Sequence, residues 1–234
     1  MEMHTLSQYK AIFFDVGGTL LRVKPSVGEV YAAHARCFGF LGSGKELDAR
    51  FQREWEKSGG IQSLGKQSGE EAEKKFWRDL VFEVFAPSGG LNDFDRYFEI
   101  VYEAFSRKDH WHVFDDVLDS GIFNKLKKCG VILGVVSNWD SRLHSILKST
   151  NLAGYFDFIL ASAEVGSAKP DKKIFIEALR RSGVSSEEAC HVGDEIRTDV
   201  EGAKNVGMDS ILIDRDGKYE KGRIVTVRSF FEFL

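Results

Sequence analysis

The stretch AIFFDVGGTLL, residues 11–21, constrains the fold of this chain more than any other part of its sequence. Its first four residues are apolar and predict a strand covered on both faces, since buried parallel strands are continuously apolar. Asp15 follows the strand, at the edge where open parallel α/β sheets place their chemistry. Gly17 and Gly18 let the backbone turn sharply and lie close to a ligand, and Thr19 adds a hydroxyl group beside the carboxylate.

The last half of the sequence alternates between short apolar runs and helical patterns. The predicted strands are 131–136, 156–160, 189–192 and 210–213, with an edge strand at 225–227. The predicted helices are 117–128, 140–150, 171–182 and 198–206, with a last helix from Ser229. Repeated βα units indicate a parallel sheet with helices on both faces. We therefore predict a doubly wound α/β core formed by residues 1–21 and 115–234.

Residues 22–114 have a different pattern, with no convincing buried strand and about four amphipathic helical stretches separated by glycine-rich breaks. Two wide aromatic stripes lie in this segment, one at 76–85 and one at 94–105. We interpret them as the core of a helical insert rather than as a binding face. Because the insert follows the first strand, we expect it to cover the carboxyl edge of the sheet as a cap.

Composition excludes several classes of function. A chain of 234 residues that is 43% hydrophobic supports a large core, and a net charge of -4 gives no reason to expect a nucleic-acid partner. Three widely spaced cysteines (Cys37, Cys129 and Cys190) form no metal-binding pattern and predict buried, reduced thiols. No apolar run reaches the roughly 18 residues of a membrane helix. We expect a soluble cytoplasmic protein without a membrane partner, either a monomer or a homodimer.

Polar residues follow or flank three further core elements. Ser137 and Asn138 end the second predicted core strand, and Lys169 comes just before a helix that Pro170 can start. Asp194 follows another strand, with Asp199 five residues later. Parallel topology should bring these side chains and Asp15 to one edge of the sheet.

Such a cluster predicts a specific chemistry. Several carboxylates packed together repel one another, and a hard divalent cation with oxygen ligands, such as Mg²⁺, would relieve that repulsion. The neighbouring lysine balances charge and can hold an anionic group. A nucleophilic aspartate, a cation and a lysine together form a site suited to moving a phosphoryl group.

With these four motifs in order, the chain resembles the haloacid dehalogenase-like superfamily, most of whose members are phosphohydrolases. The resemblance covers residues 9–21 and about 115–227, and the helical insert resembles the cap that this superfamily places after its first motif. It implies a Rossmann-like core with Mg²⁺ as cofactor and a small phosphorylated molecule as substrate.

The resemblance also implies roles for single residues. Asp15 would be the nucleophile that forms an aspartyl-phosphate, Ser137 would hydrogen-bond the phosphate, and Lys169 would neutralise the nucleophile and the transferred group. The implied metal ligands are Asp15, the backbone carbonyl of Gly17, and Asp194, with Asp199 as a ligand or its neighbour. The implied substrate-binding residues are Gly18, Thr19, Ser137, Asn138 and Lys169.

One position departs from the pattern of the superfamily's phosphatases. They carry a second aspartate two residues after the nucleophile as general acid and base, and this chain has Gly17 there. General acid–base catalysis contributes roughly 10²–10⁴-fold, so we expect hydrolysis with low turnover. Two alternatives stay open: a binding protein that keeps the fold and the cation site, and a phosphonatase-like enzyme that uses a cap lysine. The cap lysines are Lys24, Lys45, Lys57, Lys66, Lys74 and Lys75.

Overall fold

A six-stranded parallel sheet forms the centre of the computed structural model, which describes residues 6–219, 222 and 224–233. Its strands lie in the order β5-β4-β1-β6-β7-β8. They are β1 (Ala11–Phe14), β4 (Ile132–Ser137), β5 (Phe158–Ala161), β6 (Ala189–Gly193), β7 (Asp209–Ile213) and β8 (Thr226–Val227). All neighbouring pairs run parallel. The prediction of a doubly wound α/β core is therefore confirmed.

Helices cover this sheet, and a helical insert interrupts it after β1. The insert contains α1 (Val27–Ala35), α2 (Gly44–Ser58), α3 (Glu70–Phe85) and α4 (Phe94–Ala104). The remaining helices are α5 (Asp115–Asp119), α6 (Ile122–Lys128), α7 (Arg142–Ser149), α8 (Ser162–Val165), α9 (Lys172–Ser182) and α10 (Gly202–Lys204). None of the helices in the described part of the chain is long and apolar enough to cross a membrane.

Alternation of side chains along β1 explains how one short strand supports two layers of core. Phe14 belongs to the apolar cluster on one face of the sheet, and Phe13 belongs to the cluster on the other face. Both side chains are fully buried. A third cluster, which includes Tyr31, Phe85 and Tyr97, lies inside the insert. The insert therefore has its own packed interior, whereas its boundaries at 22 and 114 stay a prediction.

A two-stranded antiparallel ribbon connects the insert to the sheet. It consists of β2 (Leu21–Val23) and β3 (Trp111–Val113), with Leu21 opposite Val113. The sequence did not predict this ribbon. Its strands are only three residues long and largely half-buried, so they lack the continuous apolar run that marks the strands of the sheet.

Two predicted helices differ from the structure. The helix predicted at 117–128 is divided into α5 and α6, because Gly121 adopts a left-handed φ of 64° between them. The helix predicted at 198–206 begins earlier, as a π-helical turn over Ile196–Glu201, and continues into α10. The predicted last helix is a 3₁₀ turn over Phe230–Phe233.

The prediction that the cysteines are buried is correct for Cys190 but wrong for Cys37 and Cys129, which are exposed; all three are free thiols.

Candidate active site

Strand register brings the predicted site residues together at the carboxyl edge of the sheet. Phe14 pairs with Val135 of β4 on one side and with Val192 of β6 on the other. Asp15 therefore leaves the sheet beside the ends of both neighbouring strands, which carry Ser137 and Asp194. Three carboxylates, those of Asp15, Asp194 and Asp199, have oxygen atoms within 4.8 Å of one another.

Lys169 connects two of these carboxylates. Its Nζ atom donates hydrogen bonds to Asp15 Oδ1 at 2.7 Å and to Asp199 Oδ1 at 2.5 Å. Ser137 Oγ donates to the same oxygen of Asp15 at 2.9 Å. Burial alone would lower the pKa of Lys169, but the charges of the two carboxylates outweigh it and raise that pKa. Lys169 therefore stays charged and holds Asp15 in place.

The three carboxylates differ in their pKa shifts. Burial, together with the charge of Asp199, raises the pKa of Asp15 against the opposing effect of Lys169. Burial also raises the pKa of Asp194 well above its usual value, and the charges of Asp15 and Asp199 add to this effect. Burial acts in the same direction on Asp199, but contacts with Lys169 and His191 outweigh it and lower the pKa.

Asp194 and Asp199 differ in their hydrogen bonds. Asp199 Oδ1 contacts both Lys169 and His191, and its Oδ2 accepts from the backbone N–H of Glu195 at 3.0 Å. Among the described residues, the hydrogen bond to the Asp194 side chain is a long one, from Thr19 Oγ1 at 3.5 Å. Asp199 thus orients Lys169, whereas the Asp194 oxygens have more capacity left to bind a cation.

Two glycines allow the carboxylates to lie against the backbone. Gly18 has a left-handed φ of 74°, and a Cβ atom there would lie 2.1 Å from Asp194 Oδ2. A Cβ atom on Gly193 would lie 2.2 Å from Asp199 Cγ. Side chains at either position would displace the cluster.

The other predicted substrate-binding residues occupy different positions. Asn138 lines the cavity beside Asp15, but its side chain also holds the Lys169 backbone, accepting from its N–H at 2.6 Å and donating to its carbonyl at 3.0 Å. Thr19 is fully buried, and its hydroxyl contacts Asp194. Asn138 and Thr19 thus hold Lys169 and Asp194, and their contact with the substrate stays a prediction.

His191 is the site residue that sequence reasoning missed. It is fully buried on β6, and its Nε2 lies 2.9 Å from Asp199 Oδ1. Burial lowers its pKa and favours the neutral ring. A single histidine within an apolar strand carries no spacing signal in the sequence, so only the fold reveals this contact.

The insert contacts the core next to the site. Glu73 of α3 is fully buried and accepts hydrogen bonds from Ser68 and, at 2.7 Å, from Ser162 of α8. Burial raises the pKa of Glu73 to about 7. A second contact runs from Tyr102 Oη of α4 to Asp140 Oδ2 at 2.8 Å. The insert is thus attached to the core by buried and half-buried polar contacts.

Comparisons with known proteins agree with this geometry. The sequence matches the haloacid dehalogenase-like hydrolase family over residues 9–207. It is 34% identical over 212 residues to haloacid dehalogenase-like hydrolase domain-containing protein 3 of Mus musculus, covering 88% of this chain and 82% of the mouse protein. It is also 37% identical over 102 residues to the glyceraldehyde 3-phosphate phosphatase of Methanopyrus kandleri, covering 41% of each protein.

A solved structure gives the same result for the fold. The structure of a HAD phosphatase from Thermococcus onnurineus superposes with a TM-score of 0.68 at 27% sequence identity, covering 95% of both chains. Sequence and structure therefore agree over the core and the insert together. The chain belongs to the haloacid dehalogenase-like hydrolase family.

Proposed function

We propose that this hydrolase removes a phosphoryl group from a small phosphorylated compound in a Mg²⁺-dependent reaction, with Asp15 as the nucleophile. The observation that carries the proposal is the contact of Asp15 with Lys169 and Ser137 at the edge of a cavity, with Asp194 alongside. The phosphatase names of the Thermococcus and Methanopyrus relatives support the same reaction class.

The residues present fit a magnesium ion. Lys169 compensates part of the charge of three neighbouring carboxylates. Burial, together with the repulsion that remains, raises the pKa of both Asp15 and Asp194. Asp15 and Asp194, with the Gly17 carbonyl, would hold the ion, since oxygen ligands are what Mg²⁺ prefers. When bound, it would supply positive charge to offset the carboxylates and the substrate phosphate.

The side chains then divide the reaction into two steps. A carboxylate oxygen of Asp15 attacks phosphorus, an aspartyl-phosphate forms, and the bond to the leaving oxygen breaks. Lys169 stabilises the charge that develops on the transferred group. Water then attacks phosphorus, which releases inorganic phosphate and regenerates the Asp15 carboxylate. With Gly17 in place, the position two residues after the nucleophile supplies no proton to the leaving oxygen. We therefore expect slow turnover with unactivated substrates, unless the insert, the substrate or water supplies the proton.

Cavity geometry favours this reaction over the phosphonatase-like alternative. That alternative needs an insert lysine that reaches the substrate. The lysines that line the cavity, among the described residues, are Lys169 and Lys218, and neither lies in the insert. We therefore retain the phosphoryl transfer to Asp15 as the proposal.

Beryllofluoride tests the nucleophile, because it mimics a phosphoryl group on a carboxylate. At about 100 times its dissociation constant we expect it to raise the melting temperature by roughly 5–10 °C, and only when Mg²⁺ is present. Asp15→Asn should abolish the shift, while the control Asp119→Asn, at an exposed carboxylate on α5, should keep it. An equal shift in Asp15→Asn would exclude Asp15 as the nucleophile.

Turnover is tested in parallel by screening phosphorylated metabolites for phosphate release with Mg²⁺ and with a chelator. Release that needs both Mg²⁺ and Asp15 supports the hydrolase. A beryllofluoride shift without release of phosphate from any ester would instead favour a binding protein that has kept the site.

Asp194→Asn should weaken Mg²⁺ binding by at least about tenfold, since even residues that only support metal ligands contribute 10–100-fold to affinity. We expect the parent to bind Mg²⁺ in the millimolar range or tighter, and calorimetric titration measures both proteins. The control is Glu201→Gln, which changes an exposed carboxylate in the π-helical turn that follows Asp194. Equal affinities for parent and Asp194→Asn would place the ion elsewhere.

A further inference from the structure

The cavity beside Asp15 is much larger than a phosphate group needs. Its volume is about 1160 Å³, and both the insert and the core line it. Pockets that bind whole small-molecule ligands have volumes of roughly 300–1,000 Å³. The part of the cavity beyond the carboxylates is therefore large enough for an extended leaving group.

All four tryptophans of the chain line this cavity: Trp55, Trp77, Trp111 and Trp139. Trp139 is the nearest to the site, since its Cζ3 atom lies 3.7 Å from the position of a Cβ atom on Gly17. Its ring lies 5.0 Å from that of Trp111, measured between ring centroids. The aromatic lining therefore begins next to the reacting groups.

From Trp111 the lining continues into the insert without a gap. Phe105, Tyr31 and Phe51 follow in turn, with successive centroid distances of 5.9, 5.9 and 6.2 Å. The far end is a stack of three nearly parallel rings, in which Trp55 lies 6.0 Å from Phe51 and 5.5 Å from Trp77. The interplanar angles are 22° and 23°. We call these six residues, together with Trp139, the aromatic wall.

Exposure distinguishes most of the wall from the interior of the insert. Tyr97, Phe98 and Phe85 are buried, as expected of core residues. In contrast, Phe51, Trp55 and Trp77 are only half-buried, although they carry large apolar rings. The aromatic stripes therefore do both: Trp77, Tyr102 and Phe105 pack against the insert core, as we predicted, and they also line the cavity.

The charged side chains that α2 and α3 contribute to the cavity are Asp48 and Glu56, and neither helix contributes a lysine or arginine among the described residues. This acidic far end disfavours an anionic group there. The basic lining residues lie outside these two helices: in the described part of the chain they are Arg22, Arg142, Lys169, Arg197 and Lys218, and Arg142 is paired with Asp140. A neutral ring would fit this environment better than a second phosphate or a carboxylate.

We propose that the physiological substrate is a phosphate ester whose leaving group carries a flat, uncharged aromatic ring system that packs against the aromatic wall. This inference rests on the proposed hydrolase function. Beyond the effect of burial, an aromatic pair strengthens binding by roughly 2- to 12-fold. Binding energy from such a remote group can also be used to lower the barrier of the chemical step.

Matched substrates test the proposal. Benzyl and cyclohexylmethyl phosphate have similar size but differ in aromaticity, while phenyl and 2-naphthyl phosphate differ in ring area. We expect kcat/KM to be about tenfold higher for benzyl than for cyclohexylmethyl phosphate, and about tenfold higher for 2-naphthyl than for phenyl phosphate. Glucose 6-phosphate should be hydrolysed no better than the cyclohexylmethyl ester.

Variants show whether the wall causes these preferences. Trp111→Leu should remove most of the 2-naphthyl preference over phenyl phosphate, because Trp111 is the second ring from the reacting groups. Trp111→Phe, which keeps a ring, should restore most of it. The matched control is Phe82→Leu on α3, whose ring is 47% exposed and lies outside the cavity. It should behave like the parent.

A non-hydrolysable ligand separates this proposal from the proposed function. (2-Naphthylmethyl)phosphonate should bind the parent and Phe82→Leu equally by calorimetry, and Trp111→Leu about tenfold more weakly. Hydrolysis of small esters such as acetyl phosphate without any aromatic preference would overturn the inference and leave the hydrolase function intact. Phosphonate binding that depends on Trp111, without hydrolysis of any ester, would support the aromatic site and overturn the hydrolase function.

Discussion

Gly17→Asp is expected to increase the Mg²⁺-dependent hydrolysis of an alkyl phosphate by about 10²-fold, because it supplies a general acid and base next to the reacting group. The structure accommodates this side chain. Gly17 lies outside the left-handed φ region, and a Cβ atom there meets only Trp139 Cζ3, at an ordinary contact distance of 3.7 Å. An activated aryl ester should gain less, since its leaving oxygen needs little protonation.

The matched control for this gain is Gly17→Asn, which has nearly the same shape but cannot transfer a proton. Phosphate release should rise in Gly17→Asp, stay at the parental level in Gly17→Asn, and vanish in the Asp15→Asn, Gly17→Asp double variant. Circular dichroism verifies folding of each protein. If folded Gly17→Asp and Gly17→Asn have the same rate, Gly17 is not a lost acid and base.

Glu73→Gln is expected to stabilise the protein above pH 8, because the parent buries a carboxylate that has no cationic partner among its contacts. The pKa of Glu73 is raised from 4.5 to about 7, mainly by burial, with further repulsion from Asp140 and Glu70. Hydrogen bonds from Ser68 and Ser162 reduce the shift without cancelling it. Such a shift lowers the free energy of unfolding by at most about 3 kcal/mol at high pH.

The sign follows from proton binding. Between about pH 4.5 and 7 the folded protein holds the Glu73 proton and the unfolded chain has released it, so the free energy of unfolding falls as pH rises. Above pH 7 both states are ionised and the full penalty is present. Below pH 4.5 both are protonated and the penalty disappears. Glu73→Gln should therefore gain stability relative to the parent as pH rises.

Urea unfolding of parent and variant at pH 5 and pH 8 measures this effect, and the difference between them cancels most other titrating groups. Glu83→Gln changes an exposed glutamate of the same helix and should show no such pH dependence. Because Glu73 Oε2 has no hydrogen-bond partner among the described residues, the amide group of glutamine stays unsatisfied, and we expect a net gain of about 1–2 kcal/mol. A pH-independent difference would mean that Glu73 is ionised throughout.

Much of the core could be predicted because its signals are local. A strand buried on both faces is continuously apolar, as at Ala11–Phe14, and its end marks the position of Asp15. The parallel order of the strands then brings Ser137, Lys169 and Asp194 to the same edge. Each motif is short, but the parallel topology predicts that all of them lie at the carboxyl edge of the sheet. The structure brings these side chains together there, as expected.

The features that were missed depend on tertiary contacts that leave no periodic pattern. His191 lies in an apolar strand and contacts Asp199 only because the π-helical turn brings that carboxylate back over the sheet. Trp55 and Trp77 fit a helical apolar stripe in the same way as core residues do. A wide apolar stripe can face the core on one side and a cavity on the other. Which residues face the cavity depends on the distance between the helices and the sheet, and the sequence of one helix does not show that distance.

The ribbon of β2 and β3 leads into the insert and is hydrogen-bonded to the loop that follows Asp15. The Gly18 N–H donates to the Leu21 carbonyl at 2.8 Å, and the Leu21 N–H donates to the Val16 carbonyl at 2.9 Å. On the other strand, the Phe114 N–H donates to the Leu20 carbonyl at 3.1 Å. Any rotation of the insert that keeps these bonds must apply a torque to the loop that holds Gly17 and Gly18. The position of the insert and the backbone conformation around Gly17 and Gly18 are therefore geometrically coupled through the ribbon.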